Sequence, residues 1–403
     1  MAMVSTYPLS KRVMQMEESA TLRMSQLARD LAAQGHKVIN LSLGEPDFDT
    51  PVHIKEAAKQ ALDQGYTKYT PVPGLVELKK AIQEKFKRDN GLDFALNQIV
   101  VSNGAKQSIA NICLSLLDEG DEVIILAPYW VSYSAIVELA GGKPILVKSG
   151  IEQDYKSTAE EIQAAITDRT KALLYSSPCN PTGSVYTKEE LKAIADMIAQ
   201  YEDIVIISDE IYEYINFGEK HFSIGAFENV KDRTVTVNGF AKGFAMTGWR
   251  LGYIGGPAWL ADACTKIQGQ VTSGATAFGQ MAAAHALLAD MQPTYNMREA
   301  FLRRRDLVIE KLSAIPGFKV NRPQGAFYIF PDISAYFGLS SPDGTLIRNS
   351  DDLCEYLLEK AHVAAVAGAA FGAENCFRIS YAASEEDLIT AIDRIGAAVA
   401  DLK

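Results

Sequence analysis

From residue 99 the chain repeats one pattern: a short β-branched apolar run, a turn, then a stretch with helical spacing. The runs are "IVVSNGA" from 99, "EVIILAP" from 122, "KPILVKS" from 143, "KALLYSSP" from 171, "DIVIISDE" from 203, "TVTVNGF" from 234 and "RLGYIGGP" from 250. Several are apolar throughout rather than alternating, which suits strands covered on both faces. Helical patterns separate most of them, as in "TKEELKAIADMIAQY" from 187, where Thr187 and Glu190 form a capping box. Strands alternating with helices predict an α/β fold with a mostly parallel sheet between two helical layers. The last two runs are joined by a short segment, so the last strand is expected to be antiparallel.

From about 291 the texture changes. A charged helical stretch, "NMREAFLRRRDLVIEKLSAI", leads into "FKVNRPQGAFYIFPDIS", a loop "AYFGLSSPDGTLIRNS", a helix, and the short runs "VAAVAG" and "CFRISYA". This predicts a smaller α+β domain, which the early run "KVINLSLGEPD" from 37 joins. The expected division is 1–47 for an N-terminal arm and part of the small domain, 48–290 for the large domain, and 291–403 for the rest of the small one. No internal repeat or low-complexity linker interrupts it.

Composition narrows the function. The 403 residues are 48% hydrophobic and carry a net charge of −11, which argues against a nucleic-acid partner. Five cysteines, at 113, 179, 264, 354 and 376, have no CxxC or zinc spacing, and the five histidines form no HExxH, so no metal site is expected. The N-terminal stretch lacks the apolar core of a secretory signal, and no window approaches the roughly 18 apolar residues of a membrane span. A cytoplasmic protein with reduced thiols is expected.

Ligands of open α/β sheets bind beyond the carboxyl ends of the strands. The residues there are Gly104, Ala105 and Lys106; Trp130; Asn180; Asp209 and Tyr212; then Lys242 with Arg250 close behind. The stretch "NGFAKGFAMTGWRLGY" from 238 holds those two cations and no acid. Each residue alone has a commoner explanation, such as a solvated lysine, a capping aspartate or a core tryptophan. Together they describe a site. The helix start at 104–106 suits a phosphate, and Arg250 suits a bidentate clamp on it. Trp130 offers a flat face for a ring. Lys242, set among cations and apolar groups, has the surroundings that make an amine nucleophilic. Asp209 suits a ring nitrogen. This set points to pyridoxal 5'-phosphate.

At these residues the chain resembles the fold-type I pyridoxal phosphate aminotransferases of class I/II, in the aspartate and prephenate aminotransferase branch. The resemblance covers nearly the whole length, through "LSLGEPDFDTP", "YTKYTPVPGLVELKKAI", "SNGAKQ", "PYWVSY", "SPCNPTG", "SDEIYE", "KGFAMTGWRLGY", "PQGAFY" and "FRISYA". It implies that Lys242 bonds the cofactor and then shuttles protons, and that Arg250 with Gly104, Ala105 and Lys106 holds the phosphate. Trp130 would stack on the ring, Asp209 would pair with its nitrogen, and Tyr212 and Asn180 would bond its hydroxyl. Tyr69 would reach the phosphate of a neighbouring subunit in a homodimer with shared active sites. Arg378, helped by the backbone of Gly44, would bind the substrate α-carboxylate. Two positions depart from many relatives: Ala241 stands where a serine precedes the lysine, which removes one phosphate hydroxyl, and Ala367 stands where "VPGxAFG" has proline, which predicts a more flexible loop.

The implied reaction is ping-pong transamination of aspartate or glutamate with 2-oxoglutarate or oxaloacetate, and of prephenate as a further acceptor. For the side-chain carboxylate of such donors the candidates are Lys106 and Thr21, with Ser19 as a weaker helper. The alternatives are a carbon–sulfur β-lyase or an aminotransferase of other specificity, both of which would keep every cofactor residue. An aminotransferase-like regulatory module would need an N-terminal DNA-binding domain, yet the family pattern begins by about residue 19. A nucleotide-binding module would need GxGxxG after a strand or GxxxxGK[ST], and neither is present.

Overall fold

The computed structural model describes residues 8–16, 18 and 20–403. Strand β1 (Ile39–Asn40) stands apart, and the seven apolar runs form one sheet. Its members are β2 (Ile99–Ser102), β3 (Glu122–Ala127), β4 (Lys143–Lys148), β5 (Thr170–Ser176), β6 (Val205–Asp209), β7 (Thr234–Gly239) and β8 (Gly252–Gly255). Across the sheet the order is β2, β8, β7, β6, β5, β3, β4. Every pairing is parallel except those of β8, which runs antiparallel to both β2 and β7. The expected reversal of the last strand is therefore present.

Alternate side chains of the central strands enter different cores. Val123, Ile125, Ala172, Leu174, Val205, Ile207, Val235 and Val237 pack with the helices Ala105–Leu116 and Ala258–Val271. Ile124, Leu126, Leu173, Tyr175 and Ile206 pack on the other face with the helix Lys188–Ile198. Burial on both faces is why these runs read as continuously apolar. The edge strand β4 differs: it carries Pro144 and ends in exposed Lys143 and Lys148, a composition that protects an unpaired edge. Thr187 caps the helix Lys188–Ile198 by accepting from Glu190 N, and the Glu190 side chain accepts from Thr187 N.

The region after 291 is organised by helices more than by strands. The helix Gln292–Ser313 begins before the charged stretch that predicts it, with Pro293 in its first turn, where proline's fixed φ is tolerated. It packs with Glu385–Ala400 around Phe301, Val308, Ile392 and Ile395. The strands there are short: β9 (Tyr328–Ile329), β10 (Val363–Ala364), β11 (Val366–Ala367) and β12 (Phe377–Ser380). β12 lies between β9 and β11, and β1 pairs in parallel with β10. Ala367 belongs to strand β11 rather than to a loop. It is buried, pairs with Phe377 and has φ −58°, a value proline would share, so alanine leaves this backbone path unchanged.

Candidate active site

The sheet register brings the polar residues to one edge. Gly252 stands opposite both Ser102 and Gly239, while Asp209 stands opposite Ser176 and Val237. Because β8 is reversed, its N-terminal end shares the edge on which the parallel strands terminate. Arg250, just before β8, and Lys242, just after β7, therefore meet the helix start that follows β2.

That helix start is open and crowded by backbone. Gly104 precedes the helix Ala105–Leu116 with φ 88° and no side-chain cap. A Cβ on Gly104 would lie 2.6 Å from Arg250 Nη2, so the guanidinium covers the glycine directly. A Cβ on Gly252 would lie 2.3 Å from Ala105 N and 2.5 Å from the Gly104 carbonyl carbon. Only glycine lets β8 approach the turn this closely. Arg250 itself has φ 53° and donates from Nη1 to Thr247 O at 2.9 Å.

Asp209 ends β6 and is 3% exposed. Burial pushes its carboxyl up to about 6. Tyr133 OH, at 2.6 Å from Oδ2, and Ile211 N, at 3.2 Å from Oδ1, oppose that shift by donating to the carboxylate. Tyr133 was not singled out from the sequence; it lies three residues after Trp130, and its ring meets Trp130 edge to face at 5.5 Å. Tyr212 OH shares a 2.9 Å hydrogen bond with Tyr328 OH, a second residue not foreseen individually although "PQGAFY" contains it.

Lys242 donates to Gly44 O, and its amine lies 5.7 Å from the ring centres of Tyr212 and Phe327. Burial pushes it down to about 8, with Arg378 and Arg250 adding to the shift and Glu45 and Asp209 opposing it. Arg378, on β12, is 2% exposed. Its Nη1 donates to Asn180 Oδ1 at 2.9 Å and its Nη2 to Ser42 O at 2.6 Å. Its Nε is buried without a partner, and no carboxylate among the described residues pairs with it. The guanidinium stacks 4.4 Å over the Tyr328 ring, whose hydroxyl stands 3.0 Å from where a Cβ on Gly44 would be. A buried cation with only neutral partners is expensive unless an anion joins it.

Lys106 Nζ lies 5.0 Å over the Trp130 ring. Thr21 is in the first turn of the helix Ala20–Ala33, and no hydrogen bond links it to Lys106. Ser19 lies outside the described residues. Tyr69 is 98% exposed, so its side chain is packed against almost nothing in a single chain.

The profile described as "Aminotransferase class I and II" matches residues 36–395. The bifunctional aspartate aminotransferase and glutamate/aspartate-prephenate aminotransferase of Petunia hybrida is 45% identical over 98% of this chain and 83% of its own length. The aspartate/prephenate aminotransferase of Cereibacter sphaeroides is 46% identical over 98% and 99%. Among solved structures, the aspartate aminotransferase of Rhizobium meliloti superposes with a TM-score of 0.96 at 43% identity, covering 98% of this chain and 100% of that one. That of Thermus thermophilus with maleate gives 0.90 at 43% identity, covering 97% and 100%. The chain belongs to the class I and II aminotransferases. It is an enzyme of amino transfer on the fold-type I architecture, and membership of the family implies pyridoxal phosphate.

The residues present fit that group. The cradle formed by Gly104 and Arg250 has no room for a side chain, buried Asp209 suits a cationic ring nitrogen, and Lys242 is an amine with a lowered proton affinity. Two outcomes follow. Gly252→Ala should lose about 1–3 kcal/mol of stability through the clash with the 104–105 backbone, measured by chemical unfolding, whereas Gly248→Ala, where a Cβ meets nothing within 4 Å, should not. In the cofactor-free protein, aldehyde capture by Lys242 followed by borohydride and peptide mapping should rise with pH through about 8, because only the unprotonated amine reacts. A rise confined to the range of ordinary lysines, above about 10, would contradict the buried environment.

Proposed function

We propose that this enzyme moves an amino group between aspartate or glutamate and 2-oxoglutarate or oxaloacetate, and that it also accepts prephenate, giving arogenate. The observation that carries the proposal is Arg378: a buried guanidinium with a free Nε and no acidic partner among the described residues, near enough to Lys242 for its charge to lower that amine. It takes the substrate α-carboxylate, with the Gly44 backbone beside it. Lys106, over Trp130, and Thr21 take the second carboxylate. The names of the Petunia and Cereibacter relatives, and the Thermus structure with the dicarboxylate maleate, support an acidic substrate.

In this reading Arg250 and the backbone at Gly104, Ala105 and Lys106 hold the phosphate, Trp130 covers the ring face, and Asn180 and Tyr212 bond the ring hydroxyl. Tyr328 and Tyr133 orient Tyr212 and Asp209. When bound, pyridoxal phosphate supplies an aldehyde for the substrate amine and a cationic ring that withdraws electrons from the α-carbon. Asp209 would hold the ring nitrogen and favour its protonated form. Lys242, with its amine at about 8, can lose its proton near neutral pH and would then serve as the base that takes the substrate α-proton and the acid that gives it back.

A second copy of the chain completes the site. Tyr69 projects fully exposed beside Gly274–Phe278. In a homodimer Tyr69 would serve the partner's phosphate. No helix among the described residues is long and apolar enough to cross a membrane; a cytoplasmic location and domain boundaries at 47/48 and 290/291 belong to the same proposal.

A panel of donor and acceptor pairs tests the activity: ammonia and pyruvate without an oxo-acid acceptor would mean a lyase. Lys106→Ala should cut kcat/KM for aspartate by about ten- to a hundredfold while sparing alanine, and equal losses would leave Lys106 only a phosphate-loop role. Mixing inactive Lys242→Ala subunits with an inactive Tyr69 variant should restore activity in hybrids that keep one intact site. A fully active monomer in sedimentation would exclude sharing.

A further inference from the structure

Behind the site, on the side of the 209–213 turn away from Lys242, lies a buried ionic network. Asp209 and Tyr212 face the site, while Glu210 and Glu213 turn away from it. Glu210 is 1% exposed and Glu213 is 7% exposed. Lys85, fully buried at the end of the helix Val76–Lys85, pairs with Glu213 and donates to Asn90 Oδ1 at 2.6 Å. Asn90 ends a π-helical turn, Phe86–Asn90, and donates to Glu213 Oε2 at 2.9 Å and Ser223 Oγ at 2.8 Å. Ser208 and Ser223 donate to the two oxygens of Glu210 at 2.9 and 2.6 Å. His221 Nε2 lies 2.8 Å from Glu210 Oε2. The Glu210, Glu213 and His221 ligand atoms lie within 4.8 Å of one another, as in a cation site. The cation already among them is the Lys85 ammonium.

The charges do not balance with Lys85 alone. Two buried carboxylates face one ammonium, and an unpaired buried charge is costly. The remaining ionisable group in the cluster is His221. The charged groups facing it are Glu210 and Glu213 from the turn after β6 and Lys85 from the helix before the π turn; Asp89 is engaged by Arg88 and Tyr214. We infer that His221, as an imidazolium, completes a charge-balanced clamp on Glu210 and Glu213 and so acts as a positioning residue for Asp209 and Tyr212.

Burial, and to a lesser degree Lys85, lowers the proton affinity of His221, but Glu210, by charge and hydrogen bond, and the Glu213 charge together raise it by more, so the group stands above an ordinary histidine. Its buried Nδ1 has no hydrogen-bond partner, which by itself opposes a second N–H there, so only the two carboxylates favour the imidazolium. A histidine raised in this way stabilises the folded chain fully below its ordinary value of about 6.5, and the contribution is lost as pH rises through the raised value.

The test compares the wild-type protein with His221→Gln, without and with pyridoxal phosphate. In the cofactor-free proteins the wild type should unfold about 2–4 °C higher at mildly acidic pH, and the gap should close as pH rises past the histidine range. In the Glu210→Gln background the same histidine change should show no such pH-dependent gap. A gap that is constant with pH would mean a neutral histidine acting by packing and would overturn the inference. In the loaded proteins His221→Gln should release pyridoxal phosphate about two- to tenfold faster, followed by cofactor fluorescence after dilution; unchanged release would overturn the positioning role. The release arm rests on the assignment of Asp209 and Tyr212 to the cofactor, whereas the pH arm does not, so the two can fail separately. Should His221→Gln not fold, 13C-histidine NMR of the wild-type protein decides. Substituting His36, His53, His285 and His362 in turn leaves one resonance for His221, and a midpoint at or below about 6.5 would refute the imidazolium.

Discussion

The approach of Gly252 to the backbone of Gly104 and Ala105 is the contact on which the site depends. A methyl group there would stand 2.3 Å from Ala105 N, closer than any packing tolerates, and the helix start would have to move away from β8. Three features then go together. The reversed strand lies between β2 and β7, its N-terminal end shares the edge with their C-terminal ends, and Arg250 reaches over Gly104. The left-handed backbone at Arg250, φ 53°, costs about 1–3 kcal/mol for a residue with a side chain. It is imposed because the chain must turn from the Lys242 loop into β8 within a few residues.

The charges at this edge oppose those of the chain as a whole. A protein of net charge −11 gathers Lys106, Lys242, Arg250 and Arg378 around one opening, with Asp209 as the buried acid among them. Burial decides the outcome for both signs. It lowers Lys242 to about 8 and raises Asp209 to about 6, so the two groups approach one another near neutral pH even though each group's charge opposes the other's shift. A concentration of cations in a cleft also attracts anionic ligands from solution.

Much of this was legible in the sequence, for identifiable reasons. The seven large-sheet strands are buried on two faces and announce themselves as apolar runs; the reversal of β8 follows from a connection too short for a crossover. The cofactor residues were legible because each sits next to a strand end, so order along the chain becomes adjacency in space. Tyr133 and Tyr328 were not singled out, because their partners, Asp209 and Tyr212, are 76 and 116 residues away and a tyrosine on a helix or in a two-residue strand carries no local signal. The small-region strands were poorly defined for a related reason: β9, β10 and β11 are two residues each, too short for any period. For Thr21 and Tyr69 the single chain shows no contact that tests their expected roles. Those roles depend on a ligand or a second copy.

The separation of acids from cations explains why the turn after β6 is built as it is. Asp209, Glu210 and Glu213 fall within five residues, and all three are buried. Had Glu210 or Glu213 faced the opening, either could have paired with Arg378 or Lys242 and competed with a substrate carboxylate. Instead the turn directs them backwards, where Lys85, Asn90 and Ser223 hold them. Arg378 is left with Ser42 O and Asn180 Oδ1, two neutral acceptors. Neutral acceptors orient a guanidinium without neutralising it. The clamp behind the turn and the charge kept available in front of it are thus two consequences of one chain direction at residues 209–213.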